Sequence, residues 1–168
     1  MVNIRDIGGN SDKLVYNGKE TNLHSIWDTE MVENRIKDVG GSSYTDYLLK
    51  QINNGSYASE QHSWISNLSV TARTALNNYA VAAEYAVDSD SYSCKGVWST
   101  FEQEKGKDFS GEYHSTMGYL VDLQIAKGGV RLAHHLNQVL DTCSAISANL
   151  AATADVKRDV FVLMARRR

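Results

Sequence analysis

An all-α, helical bundle-like domain with one short β-hairpin near the N-terminus is the fold this sequence predicts, on three observations. The 168 residues contain no proline, where a usual frequency of roughly 5% would supply about eight, so little except glycine interrupts a helix. Most segments space their apolar residues three and four apart, the period of a helix with one buried face. Only Leu14-Val15-Tyr16 before Asn17-Gly18 reads as an extended run leading into a type I′ turn.

Around that hairpin the first twenty residues are irregular. From Asn22 to Lys37, residues Leu23, Ile26, Trp27, Met31 and Ile36 approximate an apolar stripe, and Asn22 is placed to cap the helix with its side chain. Gly40-Gly41-Ser42-Ser43 ends that helix and caps the next, whose Tyr44, Tyr47, Leu48 and Ile52 share a face closed by Asn54-Gly55-Ser56. A short segment around Trp64 and Ile65 precedes an alanine-rich helix from Ser69 to Val87. Residues 88–111 are polar, carry Gly96, Gly106 and Gly111, and read as a long loop. The longest helix is expected from Glu112 to Leu140, with Leu123, Ala126, Val130, Ala133 and Leu136 on its apolar side. Residues 141–168 are helix-compatible and end in Arg166-Arg167-Arg168.

Composition narrows the function classes. Apolar residues at 42% and charged residues at 22% belong to a folded domain rather than a disordered chain. A net charge of -3 argues against a general duplex-DNA binder, because Lys and Arg hold the phosphate backbone. A nucleic-acid enzyme that carries metal ions stays compatible, since bound cations add charge that the formal count omits. No apolar run approaches the 18 or more residues of a membrane span. The opening MVNIRDIGGN has no apolar h-region, so no signal peptide is expected in this chain. Cys94 and Cys143 are too few for a disulfide scaffold and lack metal-site spacing.

Among the side chains that could carry chemistry, His24 and Asp28 stand first. Positions i and i+4 share a helix face, and imidazole with carboxylate suits zinc. Taken alone, such a pair is more often a surface hydrogen bond or ion pair, and a zinc site needs three protein ligands plus water, or four. The adjacent His134 and His135 point about 100° apart on a helix and read as surface polar residues. Gly8-Gly9-Asn10 and Gly128-Gly129 lack the lysine-hydroxyl pair of a phosphate loop. The second doublet lies inside a helical pattern, where glycines permit close helix approach. Asn54-Gly55-Ser56 and Asn67-Leu68-Ser69 are glycosylation sequons, meaningful if the protein is secreted.

Two blocks carry a resemblance. Gly8-Gly9-Asn10, the hairpin and NLHSIWDTEM at 22–31 form the first; DLQIAKGGVRLAHHLNQVL at 122–140 forms the second. In order and spacing they resemble the C-terminal half of the S1/P1-type (class I) single-strand-specific zinc nucleases, which include the 3′-nucleotidase/nucleases. AVAAEYAVDSDSYSC at 80–94 fits more loosely. The resemblance implies a phospholipase C/nuclease P1-like helical fold over residues 1–140; residues 141–168 lie beyond it and are expected to form a helical or partly disordered extension. It implies three zinc ions held by histidines, aspartates and an N-terminal tryptophan, and hydrolysis of single-stranded RNA and DNA to 5′-nucleotides with removal of 3′-phosphates. The metal ligands it places on this chain are His24 and Asp28. Ile7 falls where the family lines its nucleobase pocket, and Asn10 lies near the phosphate-side loop.

The same resemblance sets most of the family's zinc ligands in a half that this chain does not contain. An ungapped match puts Met1 where the family has a third ligand, and a thioether is a poor zinc ligand. Cys94 matches a family cysteine whose disulfide partner lies upstream. The implied protein is a secreted or endomembrane one, and association with the family's N-terminal half is expected. The competing expectation is a catalytically dead relative that serves as a nucleotide- or protein-binding module.

Overall fold

The structure, a computed structural model, describes residues 7–66 and 75–165, with backbone alone at 42, 75–78 and 142–165. Strands β1 (Lys13–Tyr16) and β2 (Lys19–Asn22) form the hairpin, antiparallel, with Tyr16 opposite Lys19 and Lys13 opposite Asn22. Asn17 and Gly18 both take positive φ, 52° and 71°, as a type I′ turn requires. The two-residue alternation sends Leu14 and Tyr16 into the core and leaves Val15 outside.

Helix α1 (Leu23–Ser25) begins at the expected cap, where the Asn22 side chain accepts the Ser25 backbone N–H at 2.9 Å. It continues through a π-turn (Ile26–Glu30) into α2 (Met31–Val39). The π-turn has a cause in the apolar spacing. Ile26 and Met31 are both fully buried, yet five residues along an α-helix lie about 140° apart. Closing the turn through the Met31 N–H to the Ile26 carbonyl brings both onto one face. Gly40, at φ 103°, terminates α2 by donating its N–H to the Ile36 and Lys37 carbonyls. A 3₁₀ turn (Gly41–Ser43) leads into α3 (Tyr44–Asn54), and another covers Gln61–Trp64.

The expected loop over 88–111 is helical for most of its length. Helix α4 (Ala75–Tyr92) runs five residues past Val87, a second π-turn (Ser93–Val97) takes up Gly96, and α5 (Trp98–Glu104) follows. Its polar residues bond within the helix: the Ser91 hydroxyl donates to the Asp88 carbonyl, and that of Ser99 to the Lys95 and Gly96 carbonyls. Phe101 is buried in the core, which polarity alone does not reveal. Within this stretch irregular backbone is confined to 105–111. Residues 69–74, expected as the start of the alanine-rich helix, lie outside the described residues.

Helix α6 (Glu112–Ala165) runs 54 residues, straight past Leu140. Its buried positions correct the expected stripe. Tyr113, Met117, Leu120, Val121 and Ala126 are buried, whereas Leu136 is 52% exposed. α2, α3 and α5 all pack on α6, and Lys127 and Arg131 of α6 bond to Asp88 of α4, so burial follows several neighbours and not one stripe. The core gathers Leu14, Tyr16, Leu23, Ile26, Met31, Phe101, Phe109, Tyr113, Met117 and Val121. Within it the Phe109 and Tyr113 rings lie 4.6 Å apart. Among the described residues no helix is long and apolar enough to cross a membrane.

Candidate metal centre

The loop before the hairpin is built to hold His24. Ile7, Gly8 and Gly9 all take positive φ, at 55°, 66° and 87°, and Ile7 is a β-branched residue for which that conformation is an outlier. This winding lays Gly9 on the start of α1, where its carbonyl accepts the His24 backbone N–H at 3.4 Å. A Cβ on Gly9 would sit 3.1 Å from the Leu23 Cβ and 3.2 Å from the His24 nitrogen, so any other residue strains the left-handed backbone and crowds the start of α1. The neighbouring Gly8 carbonyl lies 3.1 Å from His24 Nδ1. A carbonyl only accepts, so Nδ1 carries the proton and Nε2 presents its lone pair outward.

That lone pair meets Asp28. His24 Nε2 is 3.0 Å from Asp28 Oδ2, and both side chains are about half exposed or more, at 48% and 66%. In the neutral tautomer fixed by Gly8, two lone-pair atoms face each other, a contact that a proton or a cation between them makes attractive. A backbone carbonyl behind a histidine is also the arrangement that orients zinc-ligating imidazoles. The donor set therefore fits zinc in kind, and it supplies two of the three protein ligands that a catalytic zinc requires. Among the described residues no group of three or more His, Cys, Asp or Glu converges on one point.

The other two candidate residues lie in the same loop. The Ile7 side chain is 74% exposed, and the Asn10 amide donates to the Ile7 carbonyl at 2.9 Å, so Asn10 closes the loop that aims Gly8 at His24.

The comparisons with known proteins bear on this loop and helix together. A family model described as S1/P1 nuclease matches residues 1–141. The chain belongs to the S1/P1 nuclease family. Nuclease S1 of Aspergillus oryzae is 32% identical over 141 residues, covering 80% of this chain and 46% of its own length. Endonuclease 1 of Arabidopsis thaliana is 34% identical over 152 residues, covering 88% and 46%. Nuclease P1 of Penicillium citrinum is 29% identical over 141 residues, covering 79% and 49%. The chain spans about half the length of the curated relatives it matches. Both sequence blocks fall inside the matched residues, and the helical architecture with one short hairpin is the one that the sequence predicts.

Two polar clusters escaped the sequence. Tyr16 accepts the Asn34 amide at 2.9 Å, which leaves its own proton for His114 Nδ1 at 2.9 Å; His114 Nε2 then faces Asp38 at 3.2 Å. Tyr16 and His114 are 98 residues apart, and no local motif announces their meeting. Second, His135 is half-buried and bonded through Nε2 to the Tyr85 hydroxyl at 2.9 Å. His134 is also half-buried, its Nε2 with no partner among the described residues. Both are less exposed than the surface reading expects, His135 because Tyr85 of α4 reaches it.

Proposed function

We propose that this S1/P1 family chain supplies part of a zinc-dependent nuclease/3′-nucleotidase centre that hydrolyses single-stranded RNA and DNA phosphodiesters to 5′-nucleotides. The observation that carries the reading is the His24–Asp28 pair, convergent at 3.0 Å and backed by the Gly8 carbonyl. Zinc, when bound, supplies charge stabilisation at phosphate oxygens and a nucleophile at neutral pH. His24 offers Nε2, with its tautomer set by Gly8. Asp28 brings the negative charge that holds a dication at an exposed site. Ile7, exposed one residue before Gly8, offers an apolar surface to a nucleobase, and Asn10 keeps that loop in shape on the phosphate side.

Two ligands call for a third from outside the described residues, and we assign it to the N-terminal half of the family fold. In support, α6 exposes Leu132, Leu136, Val139 and Leu140, and a Cβ at Gly128 or Gly129 would meet open space among the described residues, an apolar strip of the kind that protein contacts cover. Residues 1–140 are then the nuclease-like part and 141–168 a helical extension, in line with a family match that stops at residue 141. A secreted or endomembrane location belongs to the same reading; the sequon residue Asn54 and the thiol of Cys94 are exposed.

The test is release of 5′-mononucleotides from a single-stranded oligonucleotide by this chain fused behind the N-terminal half of Nuclease S1. Zinc-dependent turnover that His24→Ala abolishes is expected, with little or none from the chain alone. Turnover that survives both His24→Ala and Asp28→Ala contradicts the assignment. The lack of a third converging ligand among the described residues favours one other reading, a nucleotide- or protein-binding module, and mononucleotide binding indifferent to zinc would select it.

A further inference from the structure

Resting on the reading of His24 and Asp28 as a metal pair, we infer that Tyr113 is a positioning residue for that pair, acting through Trp27. Trp27 immediately precedes Asp28 in the π-turn Ile26–Glu30. Its indole Nε1–H donates to the Tyr113 hydroxyl at 2.9 Å, and the two rings meet edge-on with centroids 6.3 Å apart. Tyr113 is fully buried. Its own proton is directed at the carbonyl of Val97, 3.5 Å away, the last residue of the second π-turn. The phenol therefore has one close partner, the Trp27 N–H, and it cannot turn without stranding that donor.

The consequence for Asp28 follows from the backbone that carries it. A π-turn is a rare, poorly self-supporting form of helix, found mostly as single turns at functional sites. Here side chains hold it. Ile26 and Met31 are fully buried in the core, and the Glu30 carboxylate accepts the Thr21 and Ser25 hydroxyls at 2.8 and 3.0 Å. Those contacts fix the two ends of the turn. At the residue beside Asp28 the tie is Trp27, while the Asp28 side chain is 66% exposed and is held by His24 across the pair. Loss of the Tyr113 hydroxyl removes the indole's hydrogen bond and leaves the ring only its packing against the core, which lets the turn, and the carboxylate with it, rotate away from Nε2. The effect belongs to ligand orientation, which an outer-shell group controls without touching the metal.

The experiment is a zinc titration of the full chain, followed at the His24 ring by NMR, with unfolding stability measured on each sample. Tyr113→Phe is compared with wild type and with Met117→Ala, a core truncation one helical turn along α6. Tyr113→Phe is expected to weaken the zinc response at His24 by about tenfold, and Met117→Ala to leave it unchanged despite a larger loss of stability. If Tyr113→Phe does not fold, Trp27→Phe removes the N–H and keeps a ring, and the same weakening is expected. A wild-type response matched by Tyr113→Phe, or lost equally in Met117→Ala, overturns the inference alone. A wild-type His24 that ignores zinc both in this chain and in its fusion to the N-terminal half of Nuclease S1 overturns the metal-pair reading, and this inference with it.

Discussion

Arg35 holds Asp122 by two parallel contacts, with Nε 3.2 Å from Oδ1 and Nη2 2.6 Å from Oδ2. The Tyr44 and Tyr47 hydroxyls donate to the same carboxylate at 2.8 and 3.3 Å, so one buried anion ties α6 to both α2 and α3. Gly118 makes room for it, since a Cβ there would lie 2.9 Å from the Arg35 Cδ. Burial first, then the hydrogen bond to Asp122, pushes the Tyr44 phenol well up. Asp122→Ala leaves Arg35 only the longer contact to Asp38, at 3.5 Å, takes the acceptor from both tyrosine hydroxyls, and should cost about 3 kcal/mol, read from urea unfolding. A cost below about 1 kcal/mol would mean that the contact behaves as an exposed pair.

Gly9 is predicted to be less replaceable than Gly18, although both have positive φ. A Cβ added at Gly18 would have no described atom within 4 Å, while one at Gly9 would meet Leu23 and His24. Gly18→Ala should cost about 1 kcal/mol, the left-handed strain alone. Gly9→Ala should cost about 2–3 kcal/mol and also shift the His24 ring resonances, because the loop that aims Gly8 is displaced. Equal costs in thermal unfolding, with His24 unmoved, would contradict the role assigned to this loop.

The hairpin should be acid-sensitive through Asp108. Its carboxylate accepts the Ser110 backbone N–H and hydroxyl at 2.9 and 2.7 Å, and the Gly18 and Asn17 N–H groups at 2.8 and 3.0 Å. The Ser110 bonds, ahead of those from Gly18 and Asn17, hold its pKa below the ordinary carboxylate range. A depressed folded pKa means stability that is complete above the unfolded value of about 4 and lost as pH falls below it. The stability gap between wild type and Asp108→Asn should therefore be constant from pH 5 to 7 and close in more acid solution. A gap that persists unchanged into strong acid would show that the carboxylate charge is not what docks the turn.

Where local rules decide conformation, the sequence was legible. Asn17-Gly18 marked a tight turn of positive φ, Asn22 marked a cap, and the apolar stripe from Leu23 to Ile36 marked a helix, though not its π-turn. What escaped depends on distant partners. The polar stretch after Asp88 looked like a loop because its helix is held by Phe101 in the core and by Lys127 and Arg131 reaching back to Asp88. The apolar side of α6 was misjudged because two sets of neighbours clasp it. The His24–Asp28 pairing was visible as an i, i+4 spacing. Its support was not, since the Gly8 carbonyl and the Trp27–Tyr113 contact join residues 16 and 86 positions apart.

If His24 and Asp28 hold one metal ion, Co²⁺ added as a paramagnetic stand-in for zinc reports on the pair itself. His24 and Asp28 resonances should broaden first, Asp28→Ala should remove the effect at His24, and the exposed His62 should stay sharp at the same cobalt concentration. Equal broadening at His62 and His24, or a His24 response that survives Asp28→Ala, would contradict the metal pair.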